Sequence, residues 1–274
     1  MTLTGSLDGR VVFITGASSG FGADSARLFA AEGCSVILTA RRMERLEKLA
    51  QEIRADGGKA DAYPLDVTDK KQITHAVQNT LRSCGRIDIL YNNAGYGRLN
   101  WLDKLDPQED IDDCINVNLR GLMQVTRAVL PYMIKQRSGC VINMSSIAGF
   151  IAPPLYTLYS ATKFGVRGFN DALRREVAAY GIHVCGIYPG PAVTEFSQRS
   201  GENRAKQKLG SLRFLYLDSK HVARNVIDLA RHPRRTLVIP WWFHPVISLD
   251  YHFPGIVDWL MKAVFLKLMQ GPDN

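Results

Sequence analysis

Short apolar runs alternate with longer stretches of helical periodicity along most of the chain. The runs are rich in β-branched residues, and most are apolar throughout, at 11–14, 35–39, 59–65, 87–91, 140–144, 183–188 and 236–239. Such runs are typical of parallel strands that are covered on both faces. The stretches between them have the period of amphipathic helices, over 21–31, 43–56, 70–83, 111–136, 156–180 and 220–231. The pattern predicts an α/β protein with one doubly wound parallel sheet.

Two segments do not fit this alternation, about 192–217 and about 241–274. No low-complexity linker or internal repeat is present, so we interpret residues 1–274 as a single domain with a C-terminal extension. Within the extension, 255–269 reads as a helix that is apolar nearly all round, and such a helix needs cover. The apolar surface of this helix could be covered by the substrate pocket, by a partner subunit or by a membrane surface. The pattern favours burial against the chain's own domain or a second subunit.

Composition and charge exclude several classes of protein. The net charge is +8, but no block of Lys and Arg with interleaved aromatic residues occurs, which favours a basic enzyme with an anionic ligand over a nucleic-acid-binding protein. Five scattered cysteines without a CxxC pair, and six histidines without HExxH, argue against a disulfide framework and a metal site. They favour a reducing compartment, hence a cytoplasmic protein. Residues 1–10 lack a signal-peptide pattern, and no apolar run is long enough to span a membrane.

A glycine-rich turn follows the first predicted strand and opens the first predicted helix. Small residues there allow backbone amides to approach a pyrophosphate, and the positive end of the helix dipole favours that anion. A glycine-rich loop is informative only between a strand and a helix, which is its context here. The candidate phosphate-binding residues are Gly16, Ser18, Ser19, Gly20, Phe21 and Gly22.

The end of the second strand indicates which dinucleotide is bound. An acidic residue at this point would bind the ribose hydroxyls and select NAD. This chain has Ala40 followed by Arg41 and Arg42, and arginine matches phosphate geometry with a bidentate fork. We therefore predict NADP(H) as the cofactor. Further polar or small residues end the third and fourth strands, at the expected crevice of the sheet: Asp66, Val67, Asn93, Ala94 and Gly95.

A tyrosine and a lysine four residues apart form the candidate catalytic pair. Tyr159 and Lys163 fall on one face of a predicted helix. A phenol has an ordinary pKa near 10, and a neighbouring ammonium lowers it towards the working pH of an acid–base catalyst. A pair of this kind suits proton transfer to or from a carbonyl oxygen.

Taken together, these motifs resemble the short-chain dehydrogenase/reductase family in its single-domain NADP(H)-dependent form, with a Rossmann-type sheet. The matching pieces occur in family order over about residues 10–195, at 15–22, 92–95, Asn118, Ser146, Tyr159 with Lys163, and 189–194. The resemblance implies that Tyr159 is the general acid in reduction and the base in oxidation. It implies that Lys163 lowers the Tyr159 pKa and binds the nicotinamide ribose. Ser146, favoured over Ser145, would hold the substrate oxygen, and Asn118 would anchor a water relay.

The resemblance also assigns cofactor contacts and partners. Asp66 and Val67 would contact adenine and Asn93 the adenosine ribose. Contacts near the nicotinamide or pyrophosphate would come from Pro189, Gly190, Ala192 and Thr194. A homodimer or homotetramer would form through the helices that carry Asn118 and Tyr159. The extension leaves a peripheral membrane contact open for this otherwise cytoplasmic protein.

The implied substrate pocket lies between 96–101, 150–156 and a helical lid over about 192–217. The first two segments are mostly apolar and aromatic, which indicates a hydrophobic ketone, aldehyde or alcohol. A 3-ketoacyl or other lipid-ketone reductase shares every motif and stays open as an alternative. A non-catalytic NADPH-binding sensor is a second alternative, although a binding module has no use for the Tyr159–Lys163 pair.

Overall fold

The computed structural model describes residues 5–192 and 216–269, with residues 264–269 as backbone alone. Its centre is a seven-stranded sheet in which every neighbouring pair is parallel, in the order β3-β2-β1-β4-β5-β6-β7. The strands are β1 (Val11–Thr15), β2 (Ser35–Ala40), β3 (Lys59–Pro64), β4 (Ile89–Asn92), β5 (Gly139–Met144), β6 (Ile182–Pro189) and β7 (Thr236–Ile239). The predicted doubly wound sheet of Rossmann type is confirmed.

The helices lie between the strands and continue after the last one. They are α1 (Gly20–Ala31), α2 (Met43–Ala55), α3 (Lys70–Cys84), α4 (Asp113–Ile115), α5 (Leu122–Gln136), α6 (Thr157–Glu176), α7 (Ser219–Arg231), α8 (Phe243–His252) and α9 (Pro254–Met269). Three 3₁₀ turns lie at Leu102–Lys104, Ile147–Gly149 and Ala178–Tyr180. Two π-helical turns, Pro107–Asp112 and Asn116–Gly121, flank α4.

Strands β1, β2, β4, β5 and β6 are buried on both faces, which explains why they are mostly apolar, whereas the edge strand β3 is largely half-buried. Val12 and Ile14 of β1 point into a cluster shared with α1, α2 and α7. Val11 and Phe13 point into a second cluster, shared with α3, α5 and α6. Successive residues of a strand point to opposite faces, so a strand between two helical layers needs apolar residues at every position.

The winding of the chain reverses at β1, which pairs with β2 on one side and β4 on the other. Thr15 is level with Thr39 of β2 and with Asn92 of β4. In open parallel sheets the carboxyl ends of the strands at such a switch point border the ligand crevice. The glycine-rich turn after Thr15 and the polar residues after Asn92 therefore lie at one edge of the sheet.

The segment predicted as a helix over 111–136 is helical throughout, but parts of it are π-helical instead of α-helical. The segment contains α4 and the π turn Asn116–Gly121 before the regular helix α5 begins. π turns insert an extra residue into a helix and often occur at functional sites. Side-chain periodicity hardly changes over one such turn, so the sequence pattern did not reveal it.

The C-terminal extension differs from the expectation in two respects. It contains an additional helix, α8, whose aromatic start and early Pro245 hide a helical period. The domain covers α9 on one side only, since Val257 is buried while Ile256, Trp259 and Leu260 are exposed. In the described ranges, no helix is both long and apolar enough to cross a membrane. Most of the lid predicted over 192–217 lies outside the described residues.

Candidate active site

The glycine-rich turn packs directly against the end of β4. Gly16 has a left-handed φ of 67°, and a Cβ on it would lie 2.8 Å from the Cα of Ala94. A Cβ on Gly22 would lie 2.4 Å from the carbonyl oxygen of Gly16 and 2.6 Å from the Asn93 side chain. Both positions therefore require glycine, since a methyl group would push the turn away from β4.

Hydrogen bonds from β4 hold the turn in place. The Asn93 side-chain amide donates to the carbonyls of Thr15 (3.2 Å) and Gly16 (3.1 Å). The Thr15 hydroxyl oxygen accepts the backbone N–H groups of Asn93 (3.0 Å) and Ala94 (3.1 Å). Sequence reasoning missed Thr15, although a polar residue at the end of an apolar strand was a usable signal. Asn93 thus supports the turn from behind, in addition to its predicted ribose contact.

Two arginines follow β2 and take different positions. The Arg42 guanidinium donates to the Ser18 hydroxyl (3.0 Å) and the Ser19 hydroxyl (2.9 Å), and so lies over the glycine-rich turn. Arg41 is exposed, and its Nη1 lies 4.0 Å from Oδ2 of Asp66. The Asp66 carboxylate also accepts from the backbone and hydroxyl of Thr68. Positive charge therefore collects where the ribose next to the adenine would lie in this fold.

One continuous cavity of about 1030 Å³ connects the turn with the predicted catalytic residues. Most of the predicted site residues line it: Gly16, Ser18, Ser19, Gly20, Phe21, Arg41, Arg42, Asp66, Val67, Asn93, Ala94, Gly95, Ser146, Tyr159, Lys163, Pro189, Gly190 and Ala192. Gly22 and Asn118 lie behind this lining and support it. Thr194 lies outside the described residues.

Tyr159 and Lys163 lie one turn apart on α6, as predicted, and both are buried. The Lys163 ammonium is 5.5 Å from the centre of the Tyr159 ring. It donates a hydrogen bond of 3.0 Å to the carbonyl of Met144, the last residue of β5. This bond anchors the lysine at the carboxyl end of the sheet, beside the Tyr159 ring.

Burial changes the acid–base properties of this lysine. Loss of contact with water lowers the pKa of Lys163 from 10.5 to about 8, and the nearby Cys114 thiol opposes that shift. Desolvation disfavours the charged ammonium form. Lys163 therefore titrates within the range in which an enzyme works.

The two serines after β5 have different environments. Ser145 is buried and its hydroxyl donates to the carbonyl of Lys163 (3.2 Å), which fixes the start of the loop against α6. Ser146 is half-buried, and its hydroxyl oxygen accepts the backbone N–H of Ala148 at 3.1 Å. The Ser146 hydroxyl can also donate to the Pro189 carbonyl at 3.5 Å, a weak bond that a ligand oxygen would replace. These contacts favour Ser146 as the residue that meets a substrate.

Asn118 is fully buried in the π turn beneath the catalytic pair. Its side-chain oxygen accepts the backbone N–H of Tyr96 at 2.9 Å, and its amide donates to the carbonyl of Tyr96 at 2.8 Å. The same amide contacts the Cys114 sulfur (3.3 Å) and the Thr162 hydroxyl (3.3 Å). The side chain therefore holds the loop after β4 against α6. Sequence reasoning did not identify Cys114 in this network, although its four-residue spacing from Asn118 in a predicted helix was a usable signal.

The substrate end of the cavity differs in part from the expectation. Ile151, Pro153, Leu155 and Tyr156 line it, as predicted for the segment after Ser146. Two aromatic residues from the predicted segments lie elsewhere, since Phe150 packs on Tyr188 and Trp101 is an exposed surface residue. Tyr96 and Arg98 of the predicted segment 96–101 also line the cavity. Unpredicted lining residues are Glu109 and Asp113, together with Phe243, Val246 and Met261 from the extension. Within the described ranges, no group of side chains could hold a metal ion.

Comparison with known proteins agrees with this geometry. The family described as short chain dehydrogenase matches residues 10–205. The chain is 41% identical over 206 residues to the 3-oxoacyl-[acyl-carrier-protein] reductase FabG of Thermotoga maritima, covering 75% of this chain and 83% of that protein. It is 36% identical over 230 residues to the 3-ketodihydrosphingosine reductase of Bacteroides thetaiotaomicron, covering 82% and 80%.

Solved structures show the same fold. A short-chain dehydrogenase/reductase from Burkholderia phymatum, in complex with NAD, superposes with a TM-score of 0.84 at 22% identity and covers 99% of both chains. A metagenomic short-chain oxidoreductase in complex with NADP gives a TM-score of 0.72 at 30% identity, covering 86% of this chain and 97% of that chain. The fold and site define an oxidoreductase that acts on alcohol and carbonyl groups. The chain belongs to the short-chain dehydrogenase/reductase family.

Proposed function

We propose that this protein is an NADPH-dependent reductase or dehydrogenase for hydrophobic ketones, aldehydes or alcohols, working as a single domain. One observation carries the proposal: Arg42 over the glycine-rich turn and the buried Tyr159–Lys163 pair line the same cavity. The first provides positive charge for a ribose phosphate, and the second provides an acid–base group.

The lining of the cavity fits a dinucleotide. Gly16 and Gly20 leave the start of α1 bare of side chains, so a pyrophosphate could approach backbone amides there. Asp66 and Val67 would flank the adenine. Pro189, Gly190, Ala192 and Thr194 would contact the nicotinamide end. When bound, the nicotinamide supplies the hydride in reduction and accepts it in oxidation.

The residues of the chain would supply position and proton transfer. In reduction, Tyr159 donates its phenolic proton to the carbonyl oxygen that Ser146 holds by a hydrogen bond. The Lys163 cation stabilises the phenolate that remains. Asn118 would anchor the water that returns a proton to Lys163. The Asn118 backbone carbonyl suits this role, because the Asn118 side chain is already hydrogen-bonded to the Tyr96 backbone.

The substrate class follows from the apolar walls. Ile151, Pro153 and Leu155 offer no hydrogen bonds to a sugar or a dicarboxylate. Apolar residues outnumber the charged Arg98, Glu109 and Asp113 at the substrate end, so a hydrophobic carbonyl compound suits the site best. The names of two relatives, a 3-oxoacyl-[acyl-carrier-protein] reductase and a 3-ketodihydrosphingosine reductase, favour the alternative of a lipid-ketone reductase. A non-catalytic NADPH sensor is the second alternative, and the intact catalytic set argues against it.

Oxidation of NADPH, followed at 340 nm with a panel of ketones and aldehydes, tests the proposal. We expect turnover with apolar ketones and little with sugars or keto acids. NADPH binding without turnover on any carbonyl would favour the sensor. Equal efficiency with NADH and NADPH would contradict the cofactor assignment.

Carbonyl reduction should depend on pH through Lys163. Its pKa of about 8 lies below the ordinary value, so the ammonium is present below pH 8 and is lost as the pH rises. We expect kcat/KM for reduction to be flat at neutral pH and to fall above about pH 8. In Lys163→Arg the cation persists, so any residual activity should fall only at higher pH. A wild-type profile that rises through pH 8 would refute this role.

We further propose that the protein is a homodimer or homotetramer in a reducing compartment such as the cytoplasm. Ile115 of α4, Tyr132 of α5 and Phe164 of α6 are large apolar residues exposed on the helices expected to pair. The five cysteines are unpaired, as a reducing compartment requires. Sedimentation velocity should show a dimer or tetramer, and a monomer at micromolar concentration would exclude this assembly.

The outer face of the extension suits a peripheral contact with an anionic membrane. Trp241 is 73% exposed, Tyr251 79% and Trp259 69%, and aromatic residues of this kind favour the membrane–water interface. The net charge of +8 favours anionic lipid, and the cavity reaches Val246 beside this face. We expect the wild-type protein to co-sediment with phosphatidylglycerol vesicles. The double variant Trp241→Ser/Trp259→Ser should lose this binding, and the control Trp101→Ser should keep it. Absence of wild-type binding would exclude this contact. A double variant with a smaller mass than the wild type in the absence of lipid would show that a second copy covers this face.

A further inference from the structure

The C-terminal extension meets the active site directly. Strand β7 runs beside the end of β6, and the backbone N–H of Gly190 donates to the carbonyl of Ile239 at 2.7 Å. The chain then enters α8, whose first residue, Phe243, lies against the backbone of Gly190. A Cβ on Gly190 would lie 2.7 Å from the Phe243 ring. The extension is therefore packed on the loop that borders the expected nicotinamide position.

Phe243 forms the start of an apolar wall of the cavity next to the Gly190 loop. Two further residues extend this wall away from the loop. Val246 of α8 and Met261 of α9 line the same cavity as Tyr159, and the two helices pack against each other. Val257 anchors α9, since it is buried while its neighbours Ile256 and Leu260 are exposed. Met261 is half-buried at the cavity, whereas Leu260 does not line it. One face of the α8–α9 pair thus lines the cavity, and the other face is exposed to solvent.

The chemistry of this wall is apolar. Phe243 and Val246 offer no hydrogen-bonding side-chain group, and the Met261 thioether is only a weak acceptor. Ile151 and Leu155 line the same cavity. A polar ligand group placed there would lose its water without gaining a partner, which costs free energy. The family model matches residues 10–205, so this wall lies after the matched segment.

We propose that Phe243, Val246 and Met261 are specificity-determining residues that select carbonyl substrates with an extended apolar group, such as a long alkyl chain. The inference rests on the proposed function, because it assigns the non-reacting part of the substrate at that same site. Phe243 lies nearest the reacting end, next to Gly190, and Met261 would contact the distal part of the chain.

The test compares wall variants over straight-chain methyl ketones from pentanone to tridecanone with NADPH. Met261→Trp should fill the distal part of the cavity, lowering kcat/KM for the longest ketones about tenfold and leaving the shortest within about twofold. Met261→Ala, which adds no bulk, should shift the preference towards longer chains. Leu260→Trp is the matched control, since it adds the same bulk at an exposed neighbour and should leave the series unchanged.

A labelling experiment decides the inference independently of turnover. A long-chain alcohol with a terminal diazirine, irradiated with the protein and NADP⁺, should label peptides that contain Val246 or Met261. Met261→Trp should lose this label, and Leu260→Trp should keep it. Label confined to other peptides would overturn the inference, as would a Met261→Trp enzyme that loses short and long ketones equally. Absence of turnover on every ketone, with the label on α9, would contradict the proposed reaction but not the wall.

Discussion

Replacing Tyr159 by phenylalanine should lower kcat for carbonyl reduction about a thousandfold, within the range of general acid catalysis, and leave NADPH affinity within about threefold. The substitution removes one hydroxyl from a buried ring and leaves the ring itself. Because Lys163 keeps its hydrogen bond to the Met144 carbonyl, the sheet edge should keep its geometry. Stopped-flow turnover and fluorescence titration with NADPH would separate chemistry from binding.

Tyr156 provides the matched control for this experiment. Its ring lies 6.2 Å from that of Tyr159, and it lines the same cavity. Tyr156→Phe removes the same hydroxyl group next to the site and should keep activity within about threefold. Loss of turnover in Tyr156→Phe together with near-normal turnover in Tyr159→Phe would reverse the two roles and overturn the mechanism.

Arg42→Ala should lower kcat/KM with NADPH about a hundredfold and change kcat/KM with NADH by no more than about threefold. A hydrogen-bonded charge contact contributes roughly 1.5–3 kcal/mol, and only NADPH carries the phosphate that would make it. Arg42 is held at Ser18 and Ser19, over the glycine-rich turn, whereas Arg41 is exposed beside Asp66. Arg41→Ala should therefore have the smaller effect of the two.

Lys48→Ala controls for a general loss of positive charge. Lys48 is exposed on the same helix, α2, and does not line the cavity. It should leave the ratio of kcat/KM for NADPH to that for NADH unchanged. An Arg42→Ala enzyme whose ratio also stays unchanged would show that the guanidinium serves the loop serines and not a phosphate.

The local sequence was sufficient to locate the catalytic pair and the glycine-rich turn. Tyr159 and Lys163 need only the pitch of one helix to share a face, and Gly16 needs only a strand before it and a helix after it. The Thr15 contacts to β4 could not be predicted, because they join residues nearly eighty positions apart. Cys114 is different, because it precedes Asn118 by four residues in a predicted helix, and the pitch of that helix alone could have placed it beside Asn118.

The C-terminal extension was also predictable only in part. Its apolar helix 255–269 was evident from composition, but the sequence did not decide whether the pocket, a partner subunit or a membrane covers that helix. Only packing showed that Phe243 meets Gly190 and that Met261 borders the cavity while Leu260 is exposed. An apolar helix carries no directional polar groups that would specify its partner. Its position in the folded chain therefore decides which face lines the cavity and which face is exposed to solvent.

By itself, the sequence determined the order of strands and helices up to β7, the parallel sheet, the family and the residue types of the candidate active site. Hydrophobic periodicity and turn chemistry act over a few residues, and so they can be read along the chain. The tertiary structure alone decided that Arg42 and not Arg41 lies over the turn, that Asn118 holds Tyr96, and that the extension lines part of the cavity. Those contacts join distant segments, and the packing of the whole chain determines which of them form.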